Sequence, residues 1–182
     1  MTIPNILTIV RIILIPVFCF FVFNLNTSNQ YAHSHPDTLI LAGIVFVIAS
    51  ATDFFDGYLA RKWNQTTNMG KLLDPLADKL LITAALIALI EWKFIPGWTV
   101  VIILAREFLI TGLRSMVQEA GGKTMAASYL GKTKTVLQMS AIIAFLFDLS
   151  VLGNIIYPVA VIFTVVSGLD YFWQAKAYLK FK

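Results

Sequence analysis

Six apolar stretches, at about 5–24, 38–60, 70–91, 97–117, 133–149 and 153–175, occupy most of this 182-residue chain. No other feature restricts the fold as severely. A helix that crosses a bilayer needs roughly 20 apolar residues, and each stretch is near that length. The spacers between them leave no room for a separate soluble domain. Charged residues make up 13% of the chain and hydrophobic residues 58%, against about 25% charged in ordinary soluble domains. The mean hydropathy is +0.78. The expected fold class is therefore an all-α integral membrane protein of six transmembrane helices, with 1–182 forming a single domain. The first stretch carries Arg11 and has no clear small-x-small cleavage site, so it reads as a retained span rather than a secretory signal, with a bend at Pro16. The lone Cys19 excludes an internal disulfide.

The connections alternate in charge. The 25–37 loop has no lysine or arginine, whereas 61–71 holds Arg61, Lys62 and Lys71. The 92–96 turn has only Lys93, and 114–134 holds Arg114, Lys123, Lys132 and Lys134. The turn near Asp148 has no positive residue, and the tail has Lys176, Lys180 and Lys182. Positive loops stay on the cytoplasmic side. Both termini and the second and fourth loops are thus expected to face the cytoplasm, in a multi-pass membrane protein. Of the 14 lysines and arginines, only Lys93 falls on the other side.

That orientation brings four aspartates to one membrane edge. Asp53 and Asp56 are three apart at the end of the second stretch, and Asp74 and Asp78 four apart at the start of the third. On helices both spacings place the two side chains on one face. A carboxylate near hydrocarbon is unfavourable, by roughly 2.5–3.5 kcal/mol at the bilayer centre, and four together repel. Hard divalent cations relieve this, since Mg²⁺ and Mn²⁺ prefer oxygen ligands and bridge to phosphates. Two such cations and a phosphate-bearing substrate are the expected occupants. No histidine or cysteine is near, which argues against zinc. Gly57, Ala60 and Gly70 are small residues that let a ligand approach the backbone, and Arg61 can grip a phosphate with its guanidinium.

Taken in order, these residues read Asp53-x-x-Asp56-Gly57-x-x-Ala60-Arg61, then Gly70-x-x-x-Asp74-x-x-x-Asp78. The run matches without a gap the signature of the CDP-alcohol phosphotransferases, and the chain resembles that family. The resemblance implies the family's fold of six membrane helices, a homodimer, and transfer of a phosphatidyl or similar group from a CDP-linked donor to an alcohol with release of CMP. It implies that Asp53 and Asp74 contact both metals, Asp56 one and Asp78 the other. Asp78 is the candidate general base, and Gly57 and Arg61 hold the CDP moiety. Asn5 and Thr8 stand in a segment that resembles the family's nucleotide-contacting N-terminus. Thr67, six residues after Arg61, is either a further donor contact or a plain loop threonine.

Over nearly its whole length, the chain further resembles those members that join CDP-diacylglycerol to glycerol 3-phosphate in phosphatidylglycerol and cardiolipin biosynthesis. The carrying segments are PNILTIVRIILIP at 4–16, SATDFFDGYLARKWNQTTNMGKLLDPLADKLL at 50–81, AREFLITGLR at 105–114 and GKTKT at 131–135. The acceptor chemistry agrees. Glycerol 3-phosphate is an anion and needs fixed positive charge. Arg106 and Arg114 are eight apart, on about one face of the fourth stretch, and Lys132 and Lys134 open the fifth. These four are the candidate acceptor-binding residues. The bland reading of such lysines is membrane orientation and attraction to lipid headgroups. His33 and His35 form a poor metal site in a loop, and Trp63, Trp92, Trp98 and Tyr171 read as interfacial anchors. No nucleic-acid partner is expected. The rival readings are a family member with another acceptor (inositol phosphate, serine or phosphatidylglycerol), an Asp-rich membrane prenyltransferase, and a cation carrier.

Overall fold

A computed structural model describes residues 3–24, 36–63, 68–119 and 128–176, with side chains over 8–23, 38–52, 76–117 and 128–175. Among the described residues there are six helices and no strand. They are α1 (Ile3–Asn24), α2 (Pro36–Trp63), α3 (Asn68–Glu91), α4 (Gly97–Glu119), α5 (Tyr129–Leu146) and α6 (Ser150–Lys176). Each coincides with most of one of the six apolar stretches. The helix α5 departs most from its stretch, starting at Tyr129 rather than 133. The reason is a cap. The Ser128 hydroxyl accepts the Gly131 N–H at 3.1 Å, and the Ser128 carbonyl accepts the first helical bond, from Lys132 N–H, at 3.1 Å. The first turn this builds is polar and carries no apolar signal. Helix α1 continues through Pro16 and α6 through Pro158.

One helix among the described residues, Ser150–Ala175, is long and apolar enough to cross a membrane, with a mean hydropathy of 1.9. Thr8–Phe23 and Thr38–Thr52 are shorter apolar stretches. Helix α4 differs from α6 in carrying Arg106, Glu107 and Arg114 along its length.

The chain packs as two compact units, Met1–Phe94 with Ile143–Leu149, and Ile95–Ile142 with Ser150–Lys182. In the first, α1 packs against α2 and α3. Its core repeats at three- and four-residue steps, as Leu39, Ala42, Phe46 and Ala49 on α2 and Leu81, Ala85 and Ala88 on α3. Phe18 of α1 meets Phe46 with ring centroids 5.9 Å apart. Gly43 is a required close approach, since a Cβ there would lie 2.9 Å from the Phe147 ring.

Two helices in this unit end the same way. Lys93 N–H donates to the Ile90 carbonyl at 2.9 Å, and Phe94 N–H to Leu89 at 3.0 Å. Asp148 N–H donates to Phe145 at 3.1 Å, and Leu149 N–H to Ala144 at 2.8 Å. Both are Schellman caps. Lys93 and Asp148, with φ of 60° and 57°, occupy the left-handed position that usually falls to glycine. Phe94 then stacks on Phe145, centroids 5.2 Å apart.

In the second unit α4 packs against α6. Ile103, Ile110 and Val117 line the buried side of α4, and Ala160, Thr164, Ser167, Tyr171 and Ala175 that of α6. The small residues of α6 permit a close crossing. Their hydroxyls are satisfied locally, Thr164 donating to the Ala160 carbonyl at 2.7 Å and Ser167 to that of Thr164 at 3.0 Å. Polar contacts fix the relative direction. Thr99 meets Tyr157 hydroxyl to hydroxyl at 2.6 Å, Arg106 meets Ser167 at 2.9 Å and Arg114 meets Tyr171 at 2.6 Å. The partners advance together along both helices, so α4 and α6 run parallel.

Candidate active site

The signature residues fall on helices of the first unit. Asp53, Asp56, Gly57 and Arg61 stand on α2, and Asp74 and Asp78 on α3. The backbone thus provides the helical geometry that the three- and four-residue spacings require. Asp78 is half-buried. The other signature side chains, and that of Asn5, lie outside the described side chains; Thr67, His33 and His35 lie outside the described residues altogether. Thr8 is on α1 and buried, as is Arg11 one turn later. As a donor set, four carboxylates on two helices suit hard divalent cations and little else.

The second unit contains a cavity of about 380 Å³, within the size range of small-molecule sites. Arg106 and Arg114 of α4, Lys132 and Thr135 of α5, and Tyr171 of α6 contribute to its wall. Three cations face one carboxylate there, that of Glu107. The amino end of α5 adds the partial positive charge of its first turn. Buried Nε atoms of both Arg106 and Arg114 have no hydrogen-bond partner. Donors left over on buried guanidinium groups are what an incoming anion would satisfy.

The expected acceptor residues separate here. Arg106, Arg114 and Lys132 line the cavity together, while Lys134 does not. Lys134 is buried and pairs with Glu107. Glu107 also accepts from Arg106 Nη1 at 3.3 Å, so it orients one arginine while neutralising a lysine.

Tyr171 was read from the sequence as an interfacial anchor, and the structure corrects this. It is only 2% exposed. The Arg106 guanidinium carbon lies 5.3 Å from its ring centroid and that of Arg114 4.9 Å, each a cation–π contact worth about 0.5–2 kcal/mol. Its hydroxyl accepts from Arg114 Nη2 at 2.6 Å and from Ser128 N–H at 2.7 Å. A tyrosine near a helix end does not by itself signal such a role. The available clue was its place one turn after Ser167-Gly168, residues small enough to admit a neighbouring arginine. Trp92 is likewise buried rather than exposed. Asp170, one residue before Tyr171, accepts from Gln174 at 3.0 Å.

The family profile described as CDP-alcohol phosphatidyltransferase matches residues 1–166. A Bacillus subtilis (strain 168) protein named CDP-diacylglycerol–glycerol-3-phosphate 3-phosphatidyltransferase is 44% identical, over 94% of this chain and 95% of its own length. Proteins of the same name from Rickettsia bellii and Shigella flexneri serotype 5b are 40% and 36% identical, the former over 96% of both chains, the latter over 96% of this chain and 95% of its own. With the aspartate signature on α2 and α3, an all-helical fold and relatives that match nearly end to end, the chain belongs to the CDP-alcohol phosphatidyltransferase family.

Proposed function

We propose that this chain is an enzyme that transfers the phosphatidyl group of CDP-diacylglycerol to glycerol 3-phosphate, giving phosphatidylglycerophosphate and CMP. The observation that carries this reading is the near full-length match to relatives named for that activity. The cationic cavity supports the acceptor, because a phosphate monoester needs the fixed charge that Arg106, Arg114 and Lys132 supply. Lys134 serves the acceptor through Glu107, by holding the carboxylate that orients Arg106.

Asp53, Asp56, Asp74 and Asp78 would hold two divalent cations, Mg²⁺ or Mn²⁺. When bound, these would offset the charge of the donor's diphosphate and of the departing CMP. Gly57 leaves room for the CDP moiety and Arg61 holds its phosphates, with Asn5, Thr8 and Thr67 as further donor contacts. Asp78 takes the proton of the glycerol 1-hydroxyl as the oxygen attacks the phosphorus that carries diacylglycerol. One P–O bond forms to glycerol, the P–O bond to CMP breaks, and CMP leaves with that electron pair.

We further propose that all six helices form a single membrane domain spanning the bacterial inner membrane, with both termini and the active site on the cytoplasmic side, and that the chain forms a homodimer. The parallel course of α4 and α6 supports alternating spans, since α5 between them must return. Large apolar side chains stand exposed along α6 at Val151, Ile155, Ile162, Leu169 and Phe172, a surface suited to lipid. The dimer rests on the family resemblance.

The test is CMP release by the purified protein in detergent with CDP-diacylglycerol and Mg²⁺. Glycerol 3-phosphate, inositol 1-phosphate, serine and phosphatidylglycerol are offered separately. Release that requires glycerol 3-phosphate is expected. Release with another acceptor would keep the reaction and replace the substrate, and release with none from folded protein would sink the reading.

A further inference from the structure

We infer that Tyr171 is a positioning residue for the acceptor, the seat that fixes both arginines of the cationic cavity in one orientation and ties them to the start of α5. The inference rests on the reading of that cavity as the acceptor site. Long arginine side chains lose much rotamer freedom when a ligand fixes them. A site that holds them beforehand binds its anion without that loss. Tyr171 provides such a hold at two points. Both guanidinium groups lie against its ring, and its hydroxyl accepts from Arg114 at 2.6 Å.

The rest of the α6 face completes the seat. Ser167 accepts from Arg106 Nη2 at 2.9 Å. Gly168 leaves space for the arginine stem, since a Cβ there would lie 3.1 Å from Arg106 Cγ. The Tyr171 hydroxyl also accepts the amide of Ser128, the residue that caps α5. Arginines from α4 and the amino end of α5 with Lys132 are thereby registered against one phenol.

The experiment uses the full-length protein in detergent. KM for glycerol 3-phosphate, KM for CDP-diacylglycerol, kcat and the thermal midpoint are measured for wild type, Tyr171→Phe, Tyr171→Leu, Ser167→Ala, Arg106→Ala and Arg114→Ala. Tyr171→Phe keeps the ring and removes a hydrogen bond to a charged donor, so KM for glycerol 3-phosphate should rise about tenfold with the donor KM unmoved. Tyr171→Leu also removes the ring contacts and should raise it about a hundredfold. Tyr171→Phe combined with Arg114→Ala should raise it by less than the product of the two single effects, because the hydrogen bond to Arg114 is lost only once. If Arg114→Ala raises the acceptor KM selectively and Tyr171→Phe leaves it unchanged, the positioning role is wrong and the cavity assignment stands. A Tyr171→Phe protein that loses thermal stability and weakens on both substrates equally would make Tyr171 merely structural. Should the two arginine variants spare the acceptor KM, the cavity assignment falls and the inference with it. Where Tyr171→Leu does not fold, Tyr171→Phe and Ser167→Ala decide.

Discussion

Lys134 on α5 is buried against Glu107 of α4, and the Glu107 oxygen that accepts from it also accepts from Arg106. Two lysines that look equivalent in sequence are thus put to different use. Lys134→Ala would take from the partly buried Glu107 carboxylate one of its cationic partners, and should cost roughly 2–4 kcal/mol of stability. Lys132, exposed at the cavity wall, should behave oppositely. Lys132→Ala should leave the thermal midpoint in place and raise KM for glycerol 3-phosphate. Thermal unfolding in detergent beside acceptor titrations separates the two, and equal behaviour would contradict the division.

Asp78→Asn removes the proposed base and keeps the volume. Turnover should fall by about 10²–10⁴-fold, while CDP-diacylglycerol binding survives in part. A near wild-type rate would remove Asp78 from the chemistry. Chelation of divalent cations should abolish CMP release, with recovery on adding Mg²⁺ or Mn²⁺. A rate unaffected by chelator would mean the aspartates hold no required cation.

The Thr99–Tyr157 hydroxyl pair joins α4 to α6 at the end of the unit away from the arginines. Thr99 also bonds the Pro96 carbonyl at 2.6 Å, so it keeps a partner when the phenol goes. Tyr157→Phe should therefore cost only about 1 kcal/mol and leave both KM values unchanged. A shift in acceptor KM would show that this distant contact also sets the cavity.

The Schellman turn at Lys93 places a side chain in a left-handed conformation. Lys93→Gly should raise stability by roughly 0.5–1 kcal/mol, less than the 1–2 kcal/mol backbone penalty because glycine is more flexible when unfolded. Denaturation of the variant checks this directly, and a loss would mean that the lysine side chain contributes more than its backbone costs.

Gln138 is buried with neither polar side-chain atom hydrogen-bonded. Gln138→Met conserves its shape and should stabilise the fold by about 1–2 kcal/mol. A lower thermal midpoint would instead reveal a partner for the carboxamide in the working enzyme.

Much of the fold was legible because the apolar stretches coincide with helices. The end of α2 at Trp63 and the start of α4 at Gly97 lie close to where apolarity stops and begins. Helix α5 was harder, since Ser128 and a polar first turn define its start. For the proposed donor side, fixed spacing alone singles out Asp53, Asp56, Asp74 and Asp78, without three-dimensional information. The acceptor side yielded Arg106 and Arg114, whose eight-residue separation shares a helix face. It gave no means of telling Lys132 from Lys134, because that depends on where Glu107 lies. Tyr171 was misread because a phenol near a helix end looks the same whether it faces lipid or two guanidinium groups.

The amide of Ser128, held by the Tyr171 hydroxyl at 2.7 Å, has a consequence for biosynthesis. A ribosome delivers α4 and α5 before α6. Both arginines and the capping serine therefore leave the exit tunnel before the residue that joins them. A nascent chain has every charged group proposed for the reaction while the residue proposed to seat its second substrate is still being translated. On the proposed assignment, competence toward glycerol 3-phosphate comes with the last helix, so incomplete chains gain no early access to the acceptor pool.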